Sequence, residues 1–79
     1  MKLTNAELGE EYTVCEVGNE HNMKTRFSDL GIIKGATVKP LYRSPFGEPT
    51  AYEILGAVMA LRKEDSDSIL VKKRDEKWD

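Results

Sequence analysis

Turn-forming residues punctuate this chain so often that only short elements fit between them. Gly9, Gly18, Gly31, Gly35, the stretch SPFGEP (Ser44 to Pro49), Gly56 and the polar run EDSDS (64–68) leave no uninterrupted segment longer than about a dozen residues. Within each gap, the period of the apolar residues selects the element. YTVCEV (Tyr12 to Val17) is rich in β-branched and aromatic residues and reads as a strand. From Glu20 to Leu30 the period lengthens: Met23, Phe27 and Leu30 fall at i, i+4 and i+7, one stripe of a short helix. Asn19 or Asn22 can cap its start by accepting from orphan amides, and Gly31 stands where a helix end needs positive φ.

After Gly35, ATVKPLYR reads as a second strand. Pro40 has no amide to donate, so it must face an edge or a bulge. SPFGEP is a stiff loop, because each proline fixes its own φ. TAYEIL and AVMALRK follow as strands, and their junction at Gly56 is expected to be a bend or bulge in one nearly continuous ribbon. EDSDS (64–68) reads as a polar turn and SILVKK as the last strand. The expected fold is mainly β: a small barrel of about five strands, with the helix between the first and second. Closure is preferred because a flat sheet with one helix would expose two edges and bury little. The expected interior is Val14, Val38, Leu41, Ile54, Val58 or Met59, Leu61, Ile69 and Val71. The helix stripe plugs an open end, and Ile32 and Ile33 seat the helix on the barrel mouth. The faces of YTVCEV are about equally apolar, which leaves its register open.

Seventy-nine residues make one domain, with a core over about 3–72 and a charged tail at 73–79 that carries Trp78. With 39% hydrophobic and 33% charged residues the chain is globular, and its longest apolar run, Leu55 to Leu61, is far short of a membrane span. No secretory signal pattern opens the chain and Cys15 is the only cysteine, so a reducing cytoplasm is expected, without membrane insertion. A net charge of −2 lacks the basic excess of a nucleic-acid binder.

Each chemical reading of the motifs meets an obstacle. A phosphate loop requires a strand before it, a helix after it and a Lys-Ser/Thr pair; here the helix precedes the glycines and the strand follows. A DNA-reading turn needs a second helix, whereas Thr37, Val38 and Pro40 are strand chemistry. His21 and Cys15 are the only soft metal ligands, too few for a closed site in one chain, so metal capture would need a dimer that shares them. EDSDS sets Asp65 and Asp67 at alternate positions like the start of a calcium loop, but Ile69 and Leu70 then stand at the fifth and sixth positions, where an oxygen ligand and a glycine are needed. Only Cys15 with His21 could pair as nucleophile and base, and nothing brings them together, so an enzyme is not expected. What remains is recognition by surface. Phe46 crowns the stiff SPFGEP loop, either folded back on the barrel or free as an anchor for a partner.

The succession RFSDLGIIKGATVKPL, then SPFGEPTAYEILGAVMALRKEDSDSILV, resembles the FeoA family of ferrous iron transport proteins over residues 3 to 72. The residues that carry the resemblance are Arg26, Phe27, Leu30, Gly31, Gly35 and Val38, then Pro45, Gly47, Glu48, Pro49 and Gly56, and finally Ala60, Leu61, Arg62, Ile69 and Val71. The resemblance implies an SH3-like barrel, monomeric or weakly oligomeric, acting in the cytoplasm. It further implies an accessory role beside FeoB, the ferrous iron permease with a GTPase domain, which would hold the chain at the membrane. Similar domains end the iron-dependent repressors, where they bind peptide segments. Arg26 and Asp29 at the helix end, with Pro45 and Phe46 at the loop tip, are the expected partner contacts. No cofactor is expected; the alternative is an SH3-like domain that binds Fe2+ or Zn2+ itself.

Overall fold

The computed structural model describes residues 1–18 and 21–74, with the backbone alone for 21–24. One antiparallel sheet holds β1 (Tyr12–Val17), β2 (Thr37–Arg43), β3 (Thr50–Ile54), β4 (Ala57–Leu61) and β5 (Ile69–Lys73), in the order β4-β3-β2-β1-β5. Helix α1 (His21–Asp29) joins β1 to β2, and a single helical turn, α2 (Lys63–Ser66), joins β4 to β5. A 3-10 turn spans Leu3–Asn5.

The mainly β architecture and the helix between the first two strands are as expected, with three local corrections. EDSDS is not merely a turn: a helical turn starts at Lys63 and places Glu64 and Asp65 in its first turn, where acidic groups meet the positive end of the backbone dipoles. The β3–β4 junction is not a bend in a continuous ribbon. It is a two-residue hairpin in which Ile54 pairs with Ala57 and both loop residues have positive φ, Leu55 at 52° and Gly56 at 82°. That is the signature of a type I′ turn, hidden in the sequence by a leucine where asparagine would announce it. Finally, β4 and β5 do not pair, so among the described residues the sheet is curled but open. The opening segment fills the gap: Leu3 and Ala6 are almost fully buried in the common core.

Bulges decide which residues face inward. The β2–β3 register shifts between Pro40 and Tyr42, and the β1 ladder on the other side of β2 reaches only Val38. Pro40 therefore sits at a bulge, as its missing amide required, and Leu41 as the extra residue is half-buried rather than internal. A second shift, between Val14 and Glu16 in β1–β5, makes Cys15 the extra residue and settles the register of β1, with Tyr12 and Val14 inward. In β4, Met59 lies opposite buried Tyr52 and packs against the core, while Val58 is exposed. Val38, Ile54, Leu61, Ile69 and Val71 complete the expected interior. Tyr12 is fully buried, and its hydroxyl accepts from the Glu7 amide at 2.8 Å, so the buried oxygen is satisfied.

The α1 end is built as a Schellman motif. The Ile32 amide donates to the Phe27 carbonyl at 2.8 Å and the Gly31 amide to that of Ser28 at 3.0 Å, with Gly31 at φ 87°. Phe27 and Ile32, the two residues the motif brings into hydrophobic contact range, are both buried in the core. Of the residues expected to seat the helix, Ile32 does so; Ile33 is 50% exposed and Leu30 43% exposed. Asn19 lies outside the described residues, as do the side chains of Asn22 and Met23, and Trp78 with the end of the tail.

Candidate protein-interaction face

The helix end and the loop tip, far apart in sequence, meet through α2. On one side, the Arg26 guanidinium donates to Asp65 Oδ1 at 2.5 Å, tying α1 to α2. The same guanidinium carbon lies 5.0 Å from the centroid of the Phe27 ring, a cation–π distance. On the other side, the Lys63 amide donates to Glu48 Oε1 at 2.6 Å, tying α2 to the SPFGEP loop. Behind them, Thr4 Oγ1 lies 2.7 Å from Ser66 Oγ and donates to Asp67 Oδ1 at 2.6 Å, seating α2 on the opening segment. The Thr4 hydrogen bond, followed by Lys63, holds the Asp67 carboxyl below its ordinary value near 3.8, against a smaller opposing effect of desolvation.

The loop itself is closed on its own backbone. The Gly47 amide donates to Ser44 O at 2.9 Å across a turn with Pro45 second and Gly47 fourth, the positions those residues favour. The Ser44 amide donates to Pro49 O at 3.2 Å, and the Ser44 hydroxyl donates to Glu48 O. At the tip, Phe46 is 96% exposed, which removes the folded-back alternative. An aromatic ring presented on a stiff, hydrogen-bonded loop loses little entropy on binding and matches the profile of an interface anchor. Pro45 is exposed beside it.

Asp29 is exposed in the last turn of α1 and makes no ion pair or side-chain hydrogen bond among the described residues. A carboxylate at a helix C-terminus is unfavourable by roughly 0.3–1 kcal/mol, so its place there owes nothing to helix stability. A cleft of about 430 Å³ opens at the loop base, lined by Thr4, Arg43, Gly47, Tyr52, Lys63 and Ser66 among others. Burial pushes the Tyr52 hydroxyl above its ordinary value of 10.0, partly offset by hydrogen bonds to Ser66 and Thr50. The Arg43 guanidinium donates across the cleft wall to the carbonyls of Thr4 and Ala6, at 3.5 and 3.3 Å.

The sequence singles out Arg26, Asp29, Pro45 and Phe46 as contact candidates; the fold links Arg26 to the SPFGEP loop through Asp65, Lys63 and Glu48, which the sequence did not single out as contacts. The signal for them is the run KEDS after an apolar strand, where acidic residues favour a helix start. Of the two metal candidates, Cys15 alone has a described side chain. Cys15 is half-buried in its bulge, on a cleft of about 490 Å³ whose walls include Val17, Ile32 and Ile33. Its thiol donates weakly to Thr13 O at 3.7 Å. The side chain of His21 lies outside those described, and the described residues hold no group of three or more His, Cys, Asp or Glu suited to a metal ion. Among the described residues, then, no donor set for a resident metal is brought together. Among the described residues, no helix is long and apolar enough to cross a membrane.

Comparison with known proteins agrees with this fold. A family model for the FeoA domain matches residues 1–73. A search of the curated proteins finds no significant match. Among solved structures, the FeoA protein of Chlorobium tepidum is 30% identical with a TM-score of 0.86, over 94% of this chain and 70% of that one. The FeoA-like protein of Clostridium acetobutylicum is 25% identical with a TM-score of 0.86, over 100% and 92%. The FeoA of Stenotrophomonas maltophilia, solved as a zinc complex, is 26% identical with a TM-score of 0.79, over 91% and 89%. That protein is described as a prokaryotic SH3 domain protein and a candidate activating factor of ferrous iron transport. The SH3-like fold expected from the sequence is therefore present.

Proposed function

The chain belongs to the FeoA domain family, which is tied to ferrous iron transport, and on that premise we propose that it is a non-enzymatic accessory protein that docks on a FeoB-type GTPase permease and tunes its transport. The observation that carries this reading is the face itself: Phe46 fully exposed on a closed loop, locked through Glu48, Lys63 and Asp65 to Arg26 at the helix end. Phe46 and Pro45 supply the apolar anchor, and Arg26 and Asp29 supply charge at the rim, where it sets orientation more than affinity. Binding through this face would place the chain in the cytoplasm, at the membrane through its partner. The test is recovery of the permease from detergent-solubilised membranes with tagged chain. The wild type retains it, the Phe46→Ser chain loses most of it, and a wild type that recovers none sinks the reading. A deletion strain with unimpaired ferrous iron uptake would sink it as well.

A second reading is favoured by the zinc held by the Stenotrophomonas relative: binding of Fe2+ or Zn2+ by this chain, with His21 and Cys15 shared between copies. One chain offers too few soft donors, so uptake should appear only in an oligomer. Titration calorimetry with Zn2+ that shows no heat at any protein concentration excludes it.

A further inference from the structure

The two edges of the sheet are finished differently. The outer side of β5 is occupied: Met1 N donates to Val71 O at 3.0 Å, the Val71 amide donates to Met1 O at 2.8 Å, and Lys2 bridges to Leu70. Lys72 and Lys73 end that strand with charge. β4 has β3 as its one neighbour among the described residues. Its sequence, AVMAL, carries neither the charge nor the proline that usually blunts an edge. The hairpin fixes which backbone groups are left over. Ile54 and Ala57 flank a two-residue loop and form its closing hydrogen-bonded pair, so by alternation Met59 and Leu61 also point their backbone groups at β3. Val58 and Ala60 turn theirs outward, and both are exposed, Val58 at 60%.

Charge selects the occupant. Exposed Arg62 follows β4 at one end, while the Leu55–Gly56 hairpin at the other end is uncharged. Glu53 on β3 lies opposite Val58, close to the hairpin end. An incoming antiparallel strand therefore fits best with an apolar middle and a basic end that overlaps the hairpin, near Glu53. A second β4 has that distribution: a two-fold axis at Met59 sets outward-turned Val58 opposite outward-turned Ala60 of the second copy and Arg62 opposite its Gly56, which keeps the two basic ends apart, as a self-complementary interface requires. We propose that the β4 edge is a self-pairing site, through which two copies of this chain join β4 to β4 and merge their sheets. Two strands, β3 and β2, separate the joint from β1 and Cys15, so it needs no metal, and it does not use Phe46 or Arg26. It stands or falls apart from the docking reading above.

Sedimentation equilibrium on the full chain tests it, with amide exchange followed against concentration. The wild type should self-associate reversibly with a dissociation constant of about 10–500 μM, as a small strand-to-strand interface allows. The Val58 and Ala60 amides should gain protection as concentration rises, and a chelator should change nothing. Val58→Lys places a charge on the exposed edge, and Ala60→Pro removes an outward amide that β3 does not use; each should weaken the dimer at least about tenfold. If Ala60→Pro fails to fold, Val58→Lys carries the test, since its side chain is already in water. A wild type that stays monomeric at about 1 mM overturns the proposal and leaves the edge to another protein's extended segment. A dimer that survives the folded variants, or one whose Val58 and Ala60 amides still exchange freely, overturns it too.

Discussion

Replacing Gly31 with alanine should cost this domain far more than the same change at Gly35, although both glycines have positive φ. At Gly31 (φ 87°) the first contribution is the left-handed backbone, about 1–2 kcal/mol for a residue with a Cβ. The second is contact: an added Cβ would lie 2.7 Å from Leu55 Cδ1, well inside van der Waals range. Leu55 is 72% exposed and can rotate away, so relief costs on the order of 1 kcal/mol in rotamer strain and lost packing. At Gly35 (φ 92°) an added Cβ meets nothing within 4 Å, and the backbone contribution stands alone. Gly31→Ala should thus lose about 2–3 kcal/mol and Gly35→Ala about 1–2, out of a total of roughly 4–12 kcal/mol for a chain of this size. At about 4–8 °C per kcal/mol, the first variant melts some ten to twenty degrees low. Urea unfolding of the two variants, and of Gly31→Ala in a Leu55→Gly background, completes the assay. The double-mutant cycle should show a coupling of about 1 kcal/mol, because Leu55→Gly removes the obstructing methyl. Equal costs at Gly31 and Gly35, or zero coupling with Leu55, would refute the claim that the Leu55 hairpin closes over the helix end.

Three further outcomes follow from the same contacts. Ile32→Ala should lose about 2–5 kcal/mol, since Ile32 is 1% exposed, whereas Ile33→Ser at 50% exposure should stay within about 0.5 kcal/mol; thermal melts separate them. Asp65→Asn removes the Arg26 pair, whose guanidinium is 57% exposed, and should cost no more than about 1 kcal/mol, shrinking as salt is added to the urea titration. Asp67 has its folded-state pKa lowered, so its contribution is present above its ordinary value near 3.8 and is lost as pH falls through the folded value. Thr4→Val or Asp67→Asn should therefore flatten the acid limb of a stability-against-pH curve below about pH 4 and leave the neutral region parallel to wild type.

Where the sequence was legible, one residue carried one consequence. Gly31 ended a helix, Pro40 forced a bulge, and the β-branched runs became strands within a residue or two of their expected bounds. What escaped reading depended on neighbours not yet in place. Leu55 adopts positive φ only because the hairpin around it fixes the turn, and no local preference of leucine announces that. Leu41 left its expected face, and Cys15 became the extra residue of β1, because a bulge slips the alternation by one, an effect decided by partner strands. KEDS became helical where it meets Thr4, Glu48 and Arg26, three segments distant in sequence. The site followed the same division. Phe46 could be chosen from composition alone, but the connection from loop to helix end needed Asp65 and Glu48, whose roles exist only in the fold.

The most direct test of the docking claim is a photoreactive side chain placed at position 46 in cells that express the permease, with a second as control at Glu10, which lines a separate cleft with Lys39 and Lys73. The account predicts that position 46 captures the FeoB-type permease and Glu10 does not, and that Arg26→Glu reduces the yield at position 46. Capture of the permease from Glu10 with none from position 46 would contradict it.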